Sequence, residues 1–278
     1  MAKARFLIFV VTYRVAPKTS TTLLSLSKSR VALYDTRVVV RDNSPERLSD
    51  SELAQLDSLL LGLDYEYRHN GRNEALSTLY NEIRRELLPG EHLILFDHDS
   101  AFGPEFFAEA RRSIAAYPSI DLFLPLVYTG DQLVSPSHMV LFKGRYLSQP
   151  PLGPCPSRHA MAINSGMVIS ARYLQGDFPG YDEDYRFYLT DCDFMWTYQR
   201  LRSQYVALAC TMSHSLDFYD AVEPTEKKLN RFREMRRGFL VAMRKRSWLA
   251  YALCYLYMDV YSVKFALLHR NVRFLFVR

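Results

Sequence analysis

Four short β-forming runs, each ending in a polar cluster and each followed by a segment of helical character, occupy residues 5–116. Phe6–Thr12 is a continuous apolar run, the pattern of a strand buried on both faces. Ser20–Lys28 follows as a helix. Thr36–Arg41 is β-branched and stops at the turn cluster Asp42-Asn43-Ser44-Pro45. Ser49–Leu61 reads as a helix, with Ser49 and Glu52 spaced as a capping box. Tyr65–His69 is a short strand. Asn73–Leu88 carries Ala75, Leu76, Leu79, Tyr80, Ile83 and Leu87 at helical spacing and is stopped by Pro89-Gly90. His92–Phe96 is the fourth strand and Pro104–Ala116 the fourth helix. Repeated βα units predict an α/β fold, a Rossmann-like and mostly parallel sheet with flanking helices. Ligands of such sheets bind beyond the carboxyl ends of the strands. Thr12, Asp42, Asn70 and Asp97 all sit at or just past strand ends and are expected to face one crevice.

The fourth strand carries the strongest chemical signal. It ends in Asp97-His98-Asp99-Ser100. Two carboxylates one residue apart at the end of a buried strand can converge on one divalent cation, and that cation can hold a diphosphate. Hard oxygen ligands suit Mg²⁺ or Mn²⁺. His98 is expected to point away, because neighbouring strand residues face opposite sides. Past this point the pattern loosens. Asp121–Tyr128 and Asn164–Ser170 read as strands, and Phe187–Ser203 as a helix or a turn leading into one. Residues 129–160, rich in Pro, Ser and Gly, read as a long loop or lid.

Charge divides the chain. From Lys227 onward there are 13 Lys+Arg against 2 Asp+Glu, while residues 1–226 hold 22 against 28. An acidic body of 1–226 thus carries a basic tail of 227–278. Lys227–Arg246 places Leu229, Phe232, Met235, Phe239, Leu240 and Met243 at helical spacing; residues 248–258 are apolar all round but shorter than a bilayer span. Such a tail suits an anionic membrane surface, or a helix packed on the body or on a second copy as a homodimer. A basic tail also suits nucleic acid, but the body is acidic and no recognition motif accompanies it, so no nucleic-acid partner is expected. The four cysteines, Cys155, Cys192, Cys210 and Cys254, form no Cys-x-x-Cys pair and no zinc spacing, which suggests buried thiols in a reducing compartment. The first residues enter a strand directly with no signal-peptide pattern. A cytoplasmic protein, peripheral on the inner face of the plasma membrane, is the expectation.

Six segments in order resemble the family 2 glycosyltransferases of GT-A fold. VVTYR at 10–14 resembles the first-strand signature that opens the nucleotide pocket, which brings in Thr12, Tyr13 and Arg14. VVVRDNS at 38–44 resembles the segment whose aspartate, here Asp42, meets the pyrimidine imide; Ser44-Pro45 stands where Gly-Ser is usual. NGRNEALSTLYN at 70–81 resembles the element that places Asn70 and Arg72 near base or phosphates. FDHDS resembles the metal motif, in the form common among rhamnosyltransferase-like members. NSGMVIS at 164–170 resembles the segment lining the donor sugar, with Asn164, Ser165 and Gly166. YDEDYRFYLTDCDF at 181–194 resembles the region of the catalytic base.

The resemblance implies Asp191 as general base, with Asp193 the other carboxylate in reach and Thr190 replacing the common Glu. It implies Asp97 and Asp99 on Mg²⁺ or Mn²⁺, and His214 as a further metal or diphosphate ligand or a structural histidine. An inverting transferase needs one carboxylate to deprotonate the acceptor hydroxyl and a cation for the departing diphosphate. The implied reaction moves a sugar from a nucleotide sugar, dTDP-rhamnose ahead of UDP-hexose, to a glycan or lipid-linked glycan such as O-antigen or capsule. A sugar-phosphate nucleotidyltransferase would also use a parallel sheet and paired carboxylates, but it calls for a Gly-rich basic loop after the first strand, which VTYRVAPKTST lacks.

Overall fold

The computed structural model describes residues 4–214 and 225–277. The first half alternates as its sequence pattern predicts: β1 (Arg5–Thr12), α1 (Thr21–Lys28), β2 (Thr36–Asp42), α2 (Asp50–Leu59), β3 (Asp64–His69), α3 (Leu76–Ile83), β4 (Glu91–Asp97), β5 (Ser100–Ala101) and α4 (Glu105–Ala116). β1 pairs in parallel with β2 and β4, and β2 with β3. Ser49 caps α2 through a complete capping box with Glu52, and Ser20 caps α1 by accepting from the Leu23 amide.

Strand alternation divides the core. Phe6, Ile8 and Val10 pack on one side of the sheet, against Leu23 and Leu26 of α1, Leu56 of α2 and Phe106 of α4. Leu7, Phe9 and Val11 pack on the other, against Leu79 and Ile83 of α3 and against later helices. A one-residue slip would move each set to the wrong side, so the apolar run itself fixes the register.

The second half departs from its expected outline. β6 (Leu122–Thr129) is followed by four strands in the segment read as a loop or lid: β7 (Gln132–Ser135), β8 (Ser137–Val140), β9 (Lys143–Tyr146) and β10 (Gly153–Pro156). β8 and β9 join β11 (Ala160–Met161) in a separate three-stranded sheet. The reason for the misreading is visible in β9, whose four residues are all exposed. A strand with no buried face leaves no alternating pattern. Only Val168–Ser170 of the expected strand at 164–170 is extended (β12); residues 164–167 turn instead. A short α5 (Ala171–Gln175) follows, then α6 (Thr190–Leu201) within the expected 187–203. β13 (Gln204–His214) has no counterpart in the sequence reading, although its Tyr205, Val206, Ala207 and Leu208 are buried.

The main sheet runs β10-β13-β6-β12-β4-β1-β2-β3, with β12 antiparallel to both neighbours and β13 parallel to β6. β5 pairs with the end of β13. The mostly parallel sheet with flanking helices is therefore as expected.

The C-terminal segment is a hairpin of α7 (Thr225–Arg246) and α8 (Trp248–Leu268), then a 3₁₀ turn (Val272–Phe276). Phe239, Met243, Cys254 and Met258 bury themselves in the same apolar cluster as α3, α5 and α6. The segment 248–258 is thus not equivalent all round: Cys254 and Met258 face the body, while Leu249, Leu253 and Leu256 are exposed. Arg236 is not a surface charge. It is 2% exposed, with Nη2 2.8 Å from Asp259 and the guanidinium 4.9 Å from the Tyr255 ring centre. Among the described residues no helix is long and apolar enough to cross a membrane.

Candidate active site

Asp97 ends β4, and His98 and Asp99 form the two-residue turn between β4 and β5. Strand alternation therefore does not govern where His98 points. The turn is clamped by the N-terminus of α1. Ser20 Oγ donates to the His98 carbonyl at 2.7 Å, and the Thr22 amide donates to the same oxygen at 3.3 Å. Thr22 Oγ1 donates to the Asp97 carbonyl and accepts from the Ser100 amide at 3.0 Å.

β5 pairs Ser100 with His214 at the end of β13, and this brings a third candidate ligand to the aspartates. Ligand atoms of Asp97, Asp99 and His214 lie within 4.8 Å of one another. Asp99 Oδ1 is 3.3 Å from His214 Nδ1, while Nδ1 is 3.1 Å from Ser100 Oγ. Burial pushes the Asp97 carboxyl above the usual carboxylate range; Asp99 adds to the shift and His214 opposes it. Like charges held together in a half-buried cluster call for a cation. Asp99 Oδ1 is enclosed and makes no hydrogen bond among the described residues. An enclosed carboxylate oxygen without a donor, beside a second carboxylate and an imidazole, is a set that fits Mn²⁺ or Mg²⁺.

The turn at 164–167 supports this cluster from below. Ser165 Oγ accepts from the Asp97 amide at 3.1 Å and lies 2.6 Å from Ser100 Oγ. Gly166, at φ +87°, donates its amide to the Leu95 carbonyl at 2.7 Å. A Cβ there would sit 2.5 Å from Met212 Sδ and 2.7 Å from Pro125 Cγ, so the position requires glycine. Asn164 Nδ2 donates to Thr190 Oγ1 at 2.9 Å, which ties the turn to the start of α6. Thr190, where the resembling family has Glu, thereby joins Asp191 to the Asp97, Asp99 and His214 cluster.

Asp191 lies in the first turn of α6. Its Oδ1 accepts from the Cys192 amide at 2.7 Å. Burial raises its pKa to about 6, and the charge of Asp97 contributes in the same direction. Asp193 is also raised to about 6, by burial and by Asp182. The acidic turn at 182–184 before α6 is held from α7: Lys245 pairs with Asp182 and, at 2.6 Å, with Asp184.

The remaining candidates line the ends of β1, β2 and β3. Thr12 is buried, and its carbonyl accepts from the Asn43 amide at 2.8 Å. Tyr13 and Arg14 are exposed, and the Arg14 amide donates to Ser44 Oγ at 2.7 Å, so Ser44 links the first two strand ends. Asp42 closes an Asx turn on the Ser44 amide at 3.1 Å and accepts from the Tyr67 hydroxyl at 2.7 Å. Asn70 Oδ1 accepts from the Arg72 amide at 3.1 Å, and both residues are exposed. Asn43, read from the sequence only as part of a turn cluster, accepts from the Glu74 amide at 3.0 Å and donates to Asn73 Oδ1 at 3.1 Å. It joins the second and third strand ends. A short polar residue inside a turn cluster gave no sign of that role.

The order of strands, the antiparallel β12 and a carboxylate pair at the end of β4 place the chain among known architectures. The chain has the GT-A fold. It is similar to GalNAc-T7 solved with UDP, GalNAc and Mn²⁺ (TM-score 0.58, 13% identity, 84% of this chain and 48% of that one). It is similar to the mannosyltransferase PcManGT of Pyrobaculum calidifontis solved with GDP-Man and Mn²⁺ (0.55, 13%, 93% and 70%). It is also similar to residues 1–349 of S. aureus TarS (0.53, 14%, 84% and 70%). The chain spans 65% of TarS 1–349 in its UDP complex. No protein-family model matches the sequence, and no curated protein is significantly similar to it.

Proposed function

We propose that this chain is a metal-dependent, inverting glycosyltransferase that moves a sugar from a nucleotide sugar to a hydroxyl of a glycan or lipid-linked glycan. The observation that carries the reading is the convergence of Asp97, Asp99 and His214 at the carboxyl ends of the strands, with the half-buried Asp191 close enough to feel the charge of Asp97. Support also comes from the ligands of GT-A neighbours: UDP and Mn²⁺ with GalNAc-T7, GDP-Man and Mn²⁺ with PcManGT, UDP-GlcNAc with TarS.

Asp97, Asp99 and His214 would hold Mn²⁺ or Mg²⁺, which stabilises the negative charge of a departing diphosphate. Asp191, with its raised pKa, takes the proton of the acceptor hydroxyl as that oxygen attacks the anomeric carbon. Asp42 receives the imide N–H of a pyrimidine base; Thr12, Tyr13 and Arg14, with Asn70 and Arg72, border the same end of the sheet. The donor proposed first is dTDP-rhamnose, on the FDHDS form of the metal motif, with UDP-hexose next. The acceptor is a growing surface polysaccharide such as O-antigen or capsule.

A thermal-shift panel of nucleotide sugars with and without Mn²⁺ or Mg²⁺ tests the reading. A donor at a hundredfold excess over its Kd stabilises by about 2.7 kcal/mol, a rise in Tm of roughly 5–10 °C in a domain of this size. The rise is expected only with metal, and Asp99→Ala is expected to abolish both the rise and turnover while melting like wild type. Full turnover in excess chelator would refute metal dependence.

A further inference from the structure

The exposed sides of α7 and α8 differ sharply in chemistry. Along α8, Leu249, Leu253, Leu256, Val260, Val263 and Leu267 are all exposed and follow one another at spacings of four and three. They form a single apolar stripe opposite the residues that pack on the body. Trp248, 79% exposed, extends it at one end, and Phe276, 77% exposed on the 3₁₀ turn, lies beyond the other. Along α7, Arg233, Arg237 and Arg244 are exposed at spacings of four and seven. Phe232 stacks on Phe265 at 5.0 Å and Arg236 reaches Asp259 at 2.8 Å, so the two helices run antiparallel in contact. The hairpin therefore sets a cationic stripe beside an apolar one, with exposed Arg246 and Arg270 near the two ends of α8.

We propose that this hairpin is a docking face for an anionic phospholipid bilayer, with α8 and the 3₁₀ turn lying in the interface and the arginines of α7 at the headgroups. The four-three spacing also fits a coiled coil with a second copy. Charge decides between the two. The rim is cationic, so two copies would bring like charges together, whereas anionic headgroups neutralise them. Trp248 and Phe276 also carry the apolar face past the ends of a two-helix seam. The docking face adjoins the candidate site: Arg246 lies over the Trp196 ring at 4.3 Å, on the helix that carries Asp191, and Lys245 holds the turn at 182–184. A lipid-linked acceptor would thus be presented beside Asp191. That last step rests on the proposed function; docking does not.

The test is co-sedimentation of the full chain with vesicles of phosphatidylglycerol and phosphatidylcholine, and with phosphatidylcholine alone. Wild type is expected to sediment with the anionic vesicles only, and less so as salt rises. Trp248 emission is expected to shift to the blue on binding, a shift that Trp248→Phe removes. Leu256→Glu with Val260→Glu, both at exposed positions, is expected to melt like wild type and to lose at least tenfold in binding. Arg237→Glu with Arg244→Glu is expected to weaken binding to anionic vesicles. Equal sedimentation with both vesicle types, or with neither, overturns the proposal. So does a lipid-free dimer in sedimentation equilibrium that the Leu256→Glu, Val260→Glu variant splits. Vesicle binding is read without activity, so failure of docking and failure of the glycosyltransferase reading are distinguishable.

Discussion

Asp191 and Asp193 are two residues apart on one helix, and both carboxyls are raised to about 6. Burial alone does not choose between them. The arrangement around them does: Asp191 feels the charge of Asp97, whereas Asp193 feels Asp182 and the Lys245 that pairs with it. Asp191→Asn keeps the size of the side chain but removes the proton acceptor. Turnover is expected to fall at least about a hundredfold with donor binding unchanged. An active Asp191→Asn with a dead Asp193→Asn would move the base two residues along. The pH dependence has a definite sign. A base must be ionised to act, so kcat/KM is expected to be flat above about pH 6 and to fall tenfold per pH unit below it. A profile that stays flat to pH 4.5 would exclude a carboxylate of raised pKa as the base.

At the scale of elements, the turn that carries the candidate metal ligands Asp97 and Asp99 is shaped by three segments distant in sequence. The N-terminus of α1 binds its carbonyls, β13 delivers His214, and the turn at 164–167 supports Asp97 through Ser165. Thr22 is the sharpest probe of this support, because its hydroxyl is buried and serves both Asp97 and Ser100. Thr22→Val keeps the shape and removes the hydroxyl. Supporting residues of this kind typically contribute ten- to a hundredfold in metal affinity, and a loss of at least about tenfold in Mn²⁺ affinity is expected by calorimetry. Unchanged affinity would mean that the turn holds its geometry without α1. The resemblance already named His214, but the contacts and the strand pairing that assemble the turn were not visible in the chain order. Ser20 and Thr22 read only as the start of a helix, and β13 went unread although its apolar residues are consecutive.

At the scale of the molecule, the basic segment is built into the fold. Gly238 of α7 packs against Leu189, the left-handed residue that opens α6, and a Cβ at Gly238 would lie 2.9 Å from Leu189 Cδ1. Neighbouring arginines therefore have opposite roles. Arg236 is enclosed beside Asp259 and Tyr255, and Arg236→Glu would bury a carboxylate next to the carboxylate of Asp259. It is expected to destabilise by ~3–5 kcal/mol, read as a lower urea midpoint. Arg237 is exposed, and Arg237→Glu is expected to leave that midpoint unchanged. Equal midpoints for both variants would mean that the hairpin does not contribute to the cooperative unit.

The sequence by itself pointed to the parallel half of the sheet, because Phe6–Val11 and Leu93–Phe96 are short apolar runs bounded by polar residues, too short for a buried helix and suited to a strand covered on both faces. It also determined which carboxylates end those strands. Local order sufficed there, since a strand and the turn that ends it are contiguous. The resemblance named His214 as a candidate beside those carboxylates, but only the tertiary structure decided how it meets them. His214 reaches Asp99 through pairing of β5 with β13, and Thr190 reaches Asn164 across 26 positions. It also decided that Arg236 is enclosed while Arg237 faces water. Contacts between distant segments depend on how helices and sheet close around one another, and no local pattern of residues records that closure.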